Sequence, residues 1–189
     1  MKFFTRKELF AVILIFSAII LASLSNFKVS LRRARDVQRK NDIRMVADAL
    51  ALYTADFGAF PLSEDGKIVA CQGPETKIDE KGRITGLTSC GWGKDPLADI
   101  SDPSYSPYKD RLPQDPLFEK GYRYLYLSNG NRFQLYSSLE GADEAEYDSK
   151  IVARNLSCGS YICNFGLGYG ATPLDKSLEE YENELLRQK

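Results

Sequence analysis

Residues 9–24 read LFAVILIFSAIILASL, sixteen residues interrupted only by Ser17 and Ser23. Carried on to Phe27, the run reaches nineteen residues, about 28 Å as a helix, enough to cross a bilayer core of about 30 Å. A core helix of a soluble protein is shorter or keeps a polar face, and this segment has none. The run therefore predicts a membrane-inserted helix. A cleaved secretory signal is the competing reading, because Lys2, Arg6 and Lys7 form a basic flank. The apolar run is long for a signal, however, and no Ala-x-Ala exit follows it.

The helical pattern continues past the apolar run. Residues 28–57 contain neither Pro nor Gly. Leu31, Ala34, Val37 or Gln38, Asn41 or Asp42, Met45, Ala49, Leu52 and Phe57 recur at three- and four-residue steps, and Ile43, Val46 and Leu50 form a second line beside them. Such spacing predicts an amphipathic helix with one wide apolar face. Gly58 suits a left-handed C-cap and Pro61 lies shortly beyond. Residues 5–57 can thus form one helix, about 80 Å long, with a greasy first half and a second half that packs on a head.

Charge divides at the same seam. Residues 1–44 carry ten Lys/Arg against Glu8, Asp36 and Asp42, whereas residues 45–189 hold 15 basic and 23 acidic groups. The chain has no His, which excludes Ser-His-Asp and Cys-His catalysis, His-ligated metals and His proton shuttles. Cys71, Cys90, Cys158 and Cys163 include no Cys-x-x-Cys pair, a spacing poor for zinc or thioredoxin-type exchange.

Three segments then act together. Phe4-Thr5-Arg6-Lys7-Glu8 precedes the apolar run; residues 33–44 read ARD-QRK-D-R in part; and residues 50–61 read LALYTADFGAFP, with Gly58 and Phe60-Pro61 at the helix exit. In order and spacing these resemble the type IV pilin and type II secretion pseudopilin family, closest to major-pseudopilin-like members, over about the first third of the chain. The resemblance implies a long N-terminal helix packed on a small antiparallel sheet. It also implies a structural subunit held in the cytoplasmic membrane and then stacked into a pilus or pseudopilus, stems inside and heads outside. Its partners would be copies of itself and other pilins, the prepilin peptidase, the inner-membrane assembly machinery and membrane lipid. Whether nucleic acid is among the partners is left open by the sequence. Leader cleavage and N-methylation would fall at Phe3 and Phe4, and Glu8 matches the carboxylate that meets the amino terminus of a neighbouring subunit. The alternative for Glu8 is an interfacial group paired with Lys7 or Arg6, or simply hydrated.

Two departures stand beside the match. Phe3 occupies the position where the family carries Gly, and Arg6 and Lys7 replace two apolar residues. They keep open a second expectation: an uncleaved or minor membrane-anchored, pilin-like adhesin or binding module. Residues 28–44 are net +5, and basic flanks prefer the cytoplasm. The Lys2/Arg6/Lys7 cluster, the cysteines and the resemblance together favour a head outside. Within a filament the basic belt would face acidic heads; otherwise it is a solvated face drawn to lipid headgroups.

The head begins with a loop-rich stretch, residues 62–116, with short strands expected at 67–70 and 83–87. A Cys71–Cys90 bridge would hold an otherwise weakly packed loop in an oxidising compartment and contribute about 3 kcal/mol. Cys158 and Cys163 flank four residues including Gly159, spacing that suits a second bridge, with two buried thiols as the alternative. Residues 122–127 and 132–136 alternate in polarity around Asn129-Gly130, predicting a hairpin with a type I′ turn; the family resemblance implies that one face of it lies on Met45, Leu52 and their neighbours. Glu140, Asp143, Glu144, Glu146 and Asp148 follow. The family resemblance makes them candidate calcium ligands, although so many acidic groups are also what a solvated loop contains. Asn155-Leu156-Ser157 fits an N-glycosylation pattern that is common by chance. In the tail, Ser177 can cap a short helix whose Leu178, Tyr181 and Leu185 share a face.

The expected fold is α+β, divided into a candidate leader (1–3), a transmembrane stem (4–27), the amphipathic half of the helix (28–58) and a head (59–189). No cofactor is required, and calcium is a candidate ligand only. An enzyme is not expected, since only a carboxylate pair could act and none is marked as a cleft.

Overall fold

The computed structural model describes residues 5–80 and 83–188. It is α+β, with a long N-terminal helix and small antiparallel sheets. Helix α1 spans Arg6–Phe57, 52 residues. Thr5 caps it: its side chain accepts from the Glu8 N–H, and the Glu8 carboxylate accepts from the Thr5 N–H, a reciprocal capping box. Gly58 ends it at φ 74°, its N–H bonded to the Thr54 carbonyl. That left-handed conformation costs glycine nothing and other residues about 1–2 kcal/mol.

The first half of α1 is apolar and bare. Leu9, Phe10, Ile13, Leu14, Phe16, Ile20 and Leu21 are each more than half exposed, and the helix is long and apolar enough to cross a membrane. Ser23 donates its hydroxyl to the Ile19 carbonyl at 2.8 Å, so that hydroxyl needs no outside partner in lipid.

The second half buries Ile43, Val46, Ala47, Ala49, Leu50 and Tyr53. This corrects the expected face: Leu31, Val37, Met45 and Leu52 remain 40–58% exposed. Only the row through Ile43, Val46, Leu50 and Tyr53 extends back along one face to Asp36, Arg39 and Lys40, whose partners lie on the head.

Strands β1 (Leu62–Glu64), β2 (Lys67–Cys71), β3 (Lys77–Ile78), β4 (Ile84–Thr85) and β5 (Thr88–Ser89) follow. They make an antiparallel β1-β2-β5 sheet and a separate β3-β4 ribbon. Glu64 pairs with Lys67 across Asp65 (φ 48°) and Gly66 (φ 72°), two residues at positive φ, as a type I′ turn requires.

Strands β6 (Leu125–Ser128), β7 (Phe133–Ser137) and β8 (Phe165–Gly168) form the second antiparallel sheet in that order. The β6-β7 hairpin is present, but its loop has four residues, since Ser128 pairs with Phe133. Asn129 keeps a negative φ and instead accepts the N–H groups of Asn131 and Arg132 on its side-chain carbonyl. That local bond competes with the two-residue turn and wins.

Every residue of β7 is buried. Phe133 and Leu135 join the α1 core. Tyr136 belongs to a second cluster with Ile151, Cys158 and Cys163 on the other side. That back layer comprises helix α2 (Ser149–Ala153), the Cys158–Cys163 ring and the segment leading to helix α3 (Leu178–Arg187). Ser177 caps α3 in a second capping box, and the Arg132–Glu182 ion pair ties α3 to the hairpin.

Candidate functional site

Stem and head meet in an ionic clasp. Arg39 has no exposed side-chain surface. Its Nε and Nη2 donate to the two Asp115 oxygens at 2.7 and 3.1 Å, and its Nη1 donates to Asp36 Oδ1 at 2.7 Å and Glu140 Oε1 at 2.9 Å. The guanidinium also sits 4.6 Å from the Tyr122 ring centroid. Burial lowers the Arg39 pKa, but its bonds to Asp115, Glu140 and Asp36 outweigh that and leave it raised. One turn earlier, Arg35 grips Glu140 through both carboxylate oxygens at 2.7 Å. Bidentate guanidinium–carboxylate geometry is the strong, directional form of this contact.

Backbone groups complete the clasp. Asp36 accepts the N–H groups of Glu140 and Gly141 at 2.9 and 3.0 Å, so a side chain of α1 fastens the loop after β7 by its main chain. Lys40 bonds Glu144 and Glu146 at 3.0 and 2.9 Å, and Arg32 bonds Asp143. Next along the same face, Tyr124 donates its hydroxyl to Asp42 at 2.6 Å. Burial, above all, raises the Asp42 pKa.

These contacts bear on two expectations. Four residues of the basic belt, Arg32, Arg35, Arg39 and Lys40, are spent on the acidic loop of their own head, whereas Lys28, Arg33 and Arg44 stay exposed. The proposed calcium ligands are correspondingly engaged elsewhere. Glu140, Asp143, Glu144 and Glu146 hold Arg35, Arg32 and Lys40, whereas Asp148 caps α2 by accepting the Lys150 N–H. Among the described residues no three ligating side chains are grouped so as to hold a metal ion.

Asp115 was missed in the sequence because nothing near Gln114-Asp115-Pro116 marks it. Asp36 and Arg39 did carry a signal: they continue the Ile43-Val46-Leu50 row, which places charge in line with a core face.

The remaining candidates are separate from the clasp. Phe3 and Phe4 lie outside the described residues. Glu8 stands at the first turn of α1, with its carboxylate on Thr5 at 2.7 Å to N and 2.9 Å to Oγ1, and with no ion pair to Arg6 or Lys7 among the described residues. Both expected disulfides are formed, Cys71–Cys90 joining β2 to the end of β5 and Cys158–Cys163 backing β7.

No protein-family model, curated protein or solved structure matches this chain.

Proposed function

We propose that this chain is a non-enzymatic, membrane-inserted structural subunit of a helical filament, of the type IV pilus or type II secretion pseudopilus kind. The observation that carries this reading is the unbroken helix α1, apolar from Leu9 to Leu24 but for two serines, with the described side chains of that run bare, and clasped to a head over its second half. A stem without a polar face exchanges lipid for neighbouring stems at little hydrophobic cost, so packing decides association. The exposed row of Leu31, Val37, Met45 and Leu52 carries that apolar surface past the bilayer, toward other subunits. The clasp supports the same reading, because a head bound firmly to its own rod can be stacked as one body. In this reading the head lies outside the cytoplasmic membrane, where both disulfides persist.

Glu8 favours a second form of the proposal, a permanently anchored or minor pilin-like binding module. One oxygen of its carboxylate already serves as a cap of its own helix, a role that calls for no neighbouring subunit.

Electron microscopy of sheared surface fibres, with mass spectrometry of their content, tests the leading form. Fibres dominated by this chain support it, while recovery only as membrane-bound monomer overturns it. N-terminal sequencing separates the two forms: a mature end at Phe4 supports assembly, and an intact Met1 supports the anchored module.

A further inference from the structure

A second site lies on the head, away from the clasp and independent of the filament proposal. A half-open cavity of about 370 Å³ sits between β2 and the 95–103 segment. Ala70, Ala98, Ile100 and Pro103 give it apolar walls, and Asp95 and Asp99 add two carboxylates. None of its lining residues is basic or aromatic. The volume lies in the range of small-molecule sites, about 300–1,000 Å³.

Its walls are held in place before any ligand arrives. The Cys71–Cys90 bridge anchors one side, with Cys71 Sγ lying 3.4 Å from the Pro96 carbonyl oxygen. The other side is pinned where Leu97, fully buried, exchanges backbone hydrogen bonds with Lys109 at 2.9 and 3.1 Å.

The carboxylates here differ from those of the clasp. Glu140, Asp143, Glu144 and Glu146 all hold cations, but Asp95 and Asp99 form no ion pair among the described residues. Asp95 Oδ2 accepts the Gly91 N–H at 2.7 Å, and Asp99 Oδ1 accepts the Ser101 N–H and hydroxyl at 2.7 and 2.6 Å. The second oxygen of each accepts no hydrogen bond among the described residues. Two unneutralised carboxylates in an apolar recess repel anions, and they reward a compact cation that donates several hydrogen bonds.

We propose that this cavity binds a small primary amine, its ammonium group held by Asp95 and Asp99 and its short aliphatic body lying on Ala98, Ile100 and Pro103. The alcohol of the same shape lacks the charge, and the matching carboxylate is repelled, so selectivity follows from charge more than from fit.

The test uses the full chain in detergent micelles with methyl-labelled Ala and Ile, titrated with isoamylammonium chloride, isoamyl alcohol or sodium isovalerate. The expected result is saturable movement of the Ala70, Ala98 and Ile100 methyl signals with the amine, affinity weaker by about tenfold for the alcohol, and no saturable movement with isovalerate. Asp99→Asn should weaken amine binding by about tenfold, and Ala98→Leu should block it, while the Ile43 and Ile151 methyl signals stay in place as reporters of an intact head. Should either variant disturb those reporters, the three-ligand comparison on the native chain decides. The absence of saturable shifts, equal binding of amine and alcohol, or undiminished binding by a folded Asp99→Asn variant each overturns the proposal.

Discussion

Arg39 and Asp115 are 76 residues apart in the chain, yet they form a two-pronged ion pair with neither side chain exposed. A fully buried guanidinium pays a large desolvation cost, which is recovered here only because Asp36, Asp115 and Glu140 converge on it. The pair converts a surface helix into a fixed part of the head.

Removing the cation should be far more damaging than removing the whole group. Arg39→Met leaves three carboxylates facing one another in a buried site and should cost about 3–5 kcal/mol. Arg39→Met with Asp115→Leu should cost less than the sum of the single changes. Chemical denaturation of the full chain in micelles, analysed as a double-mutant cycle, measures the difference.

Acid should loosen the clasp. Burial pushes the Glu140 carboxyl up, but the Arg35 and Arg39 guanidinium groups outweigh that and leave its pKa below the ordinary 4.5. A carboxylate with a lowered folded pKa stabilises the fold above its unfolded pKa, and that contribution is lost as pH falls through the folded value. Asp42 is shifted the opposite way, so its protonation on acidification partly offsets the loss. Stability should therefore decline below about pH 4.5 in the native chain. Glu140→Gln should be less stable at neutral pH and show a flatter acid limb. Thermal melts across pH 3–7 provide the comparison.

The phenol of Tyr124 is raised strongly, first by burial and then by its bond to Asp42. Tyr124→Phe leaves the buried Asp42 without that donor and should cost about 1–3 kcal/mol. Adding Asp42→Leu should recover much of the loss, because the unsatisfied carboxylate disappears with its partner. Urea midpoints of the two variants would reveal it.

The two disulfides should differ in accessibility. Cys158 and Cys163 are both completely buried, whereas Cys71 is partly exposed. Mild reduction with alkylation and mass spectrometry should open Cys71–Cys90 first and leave Cys158–Cys163 closed until the head unfolds. Loss of the longer loop constraint should remove about 3 kcal/mol, against about 2 kcal/mol for the shorter ring.

A charge in the stem should weaken membrane retention. Ile15→Lys places an ammonium near the middle of the apolar segment and costs about 2.5–3.5 kcal/mol of insertion free energy. Carbonate extraction of membranes should release more of the variant than of the native chain.

The elements that the sequence announced are those governed by short-range chemistry. Helix α1 begins at Thr5 and ends at Gly58, where capping residues and the lack of interior Pro or Gly demand it. The hairpin β6-β7, the caps and both disulfides follow from equally local patterns. What escaped depended on contacts between distant segments. The strand after the Asp65-Gly66 turn was expected at 67–70, but its partner Leu62–Glu64 was too short to suggest a hairpin, while Asn129-Gly130 offered a hairpin signature and an Asn side chain that closed a wider loop. The α1 face was drawn too wide, because Met45 and Leu52 are as apolar as Ile43 and Leu50 and only the latter pair is buried. Charged residues in the same row, read as solvent-facing, were what oriented the helix. Asp115 and the acidic residues after β7 acquire their roles only when the head folds back on α1.

Under the proposed membrane insertion, α1, unbroken from residue 6 to 57, does not let the head choose its own height above the bilayer. The stretch from Phe27 to Ile43 is about 24 Å of stiff rod, so any lean of the stem swings the head sideways and lowers it. Lipid thickness thereby becomes a mechanical input: a thinner bilayer tilts the rod further, and the surface that the head offers to its surroundings turns with it.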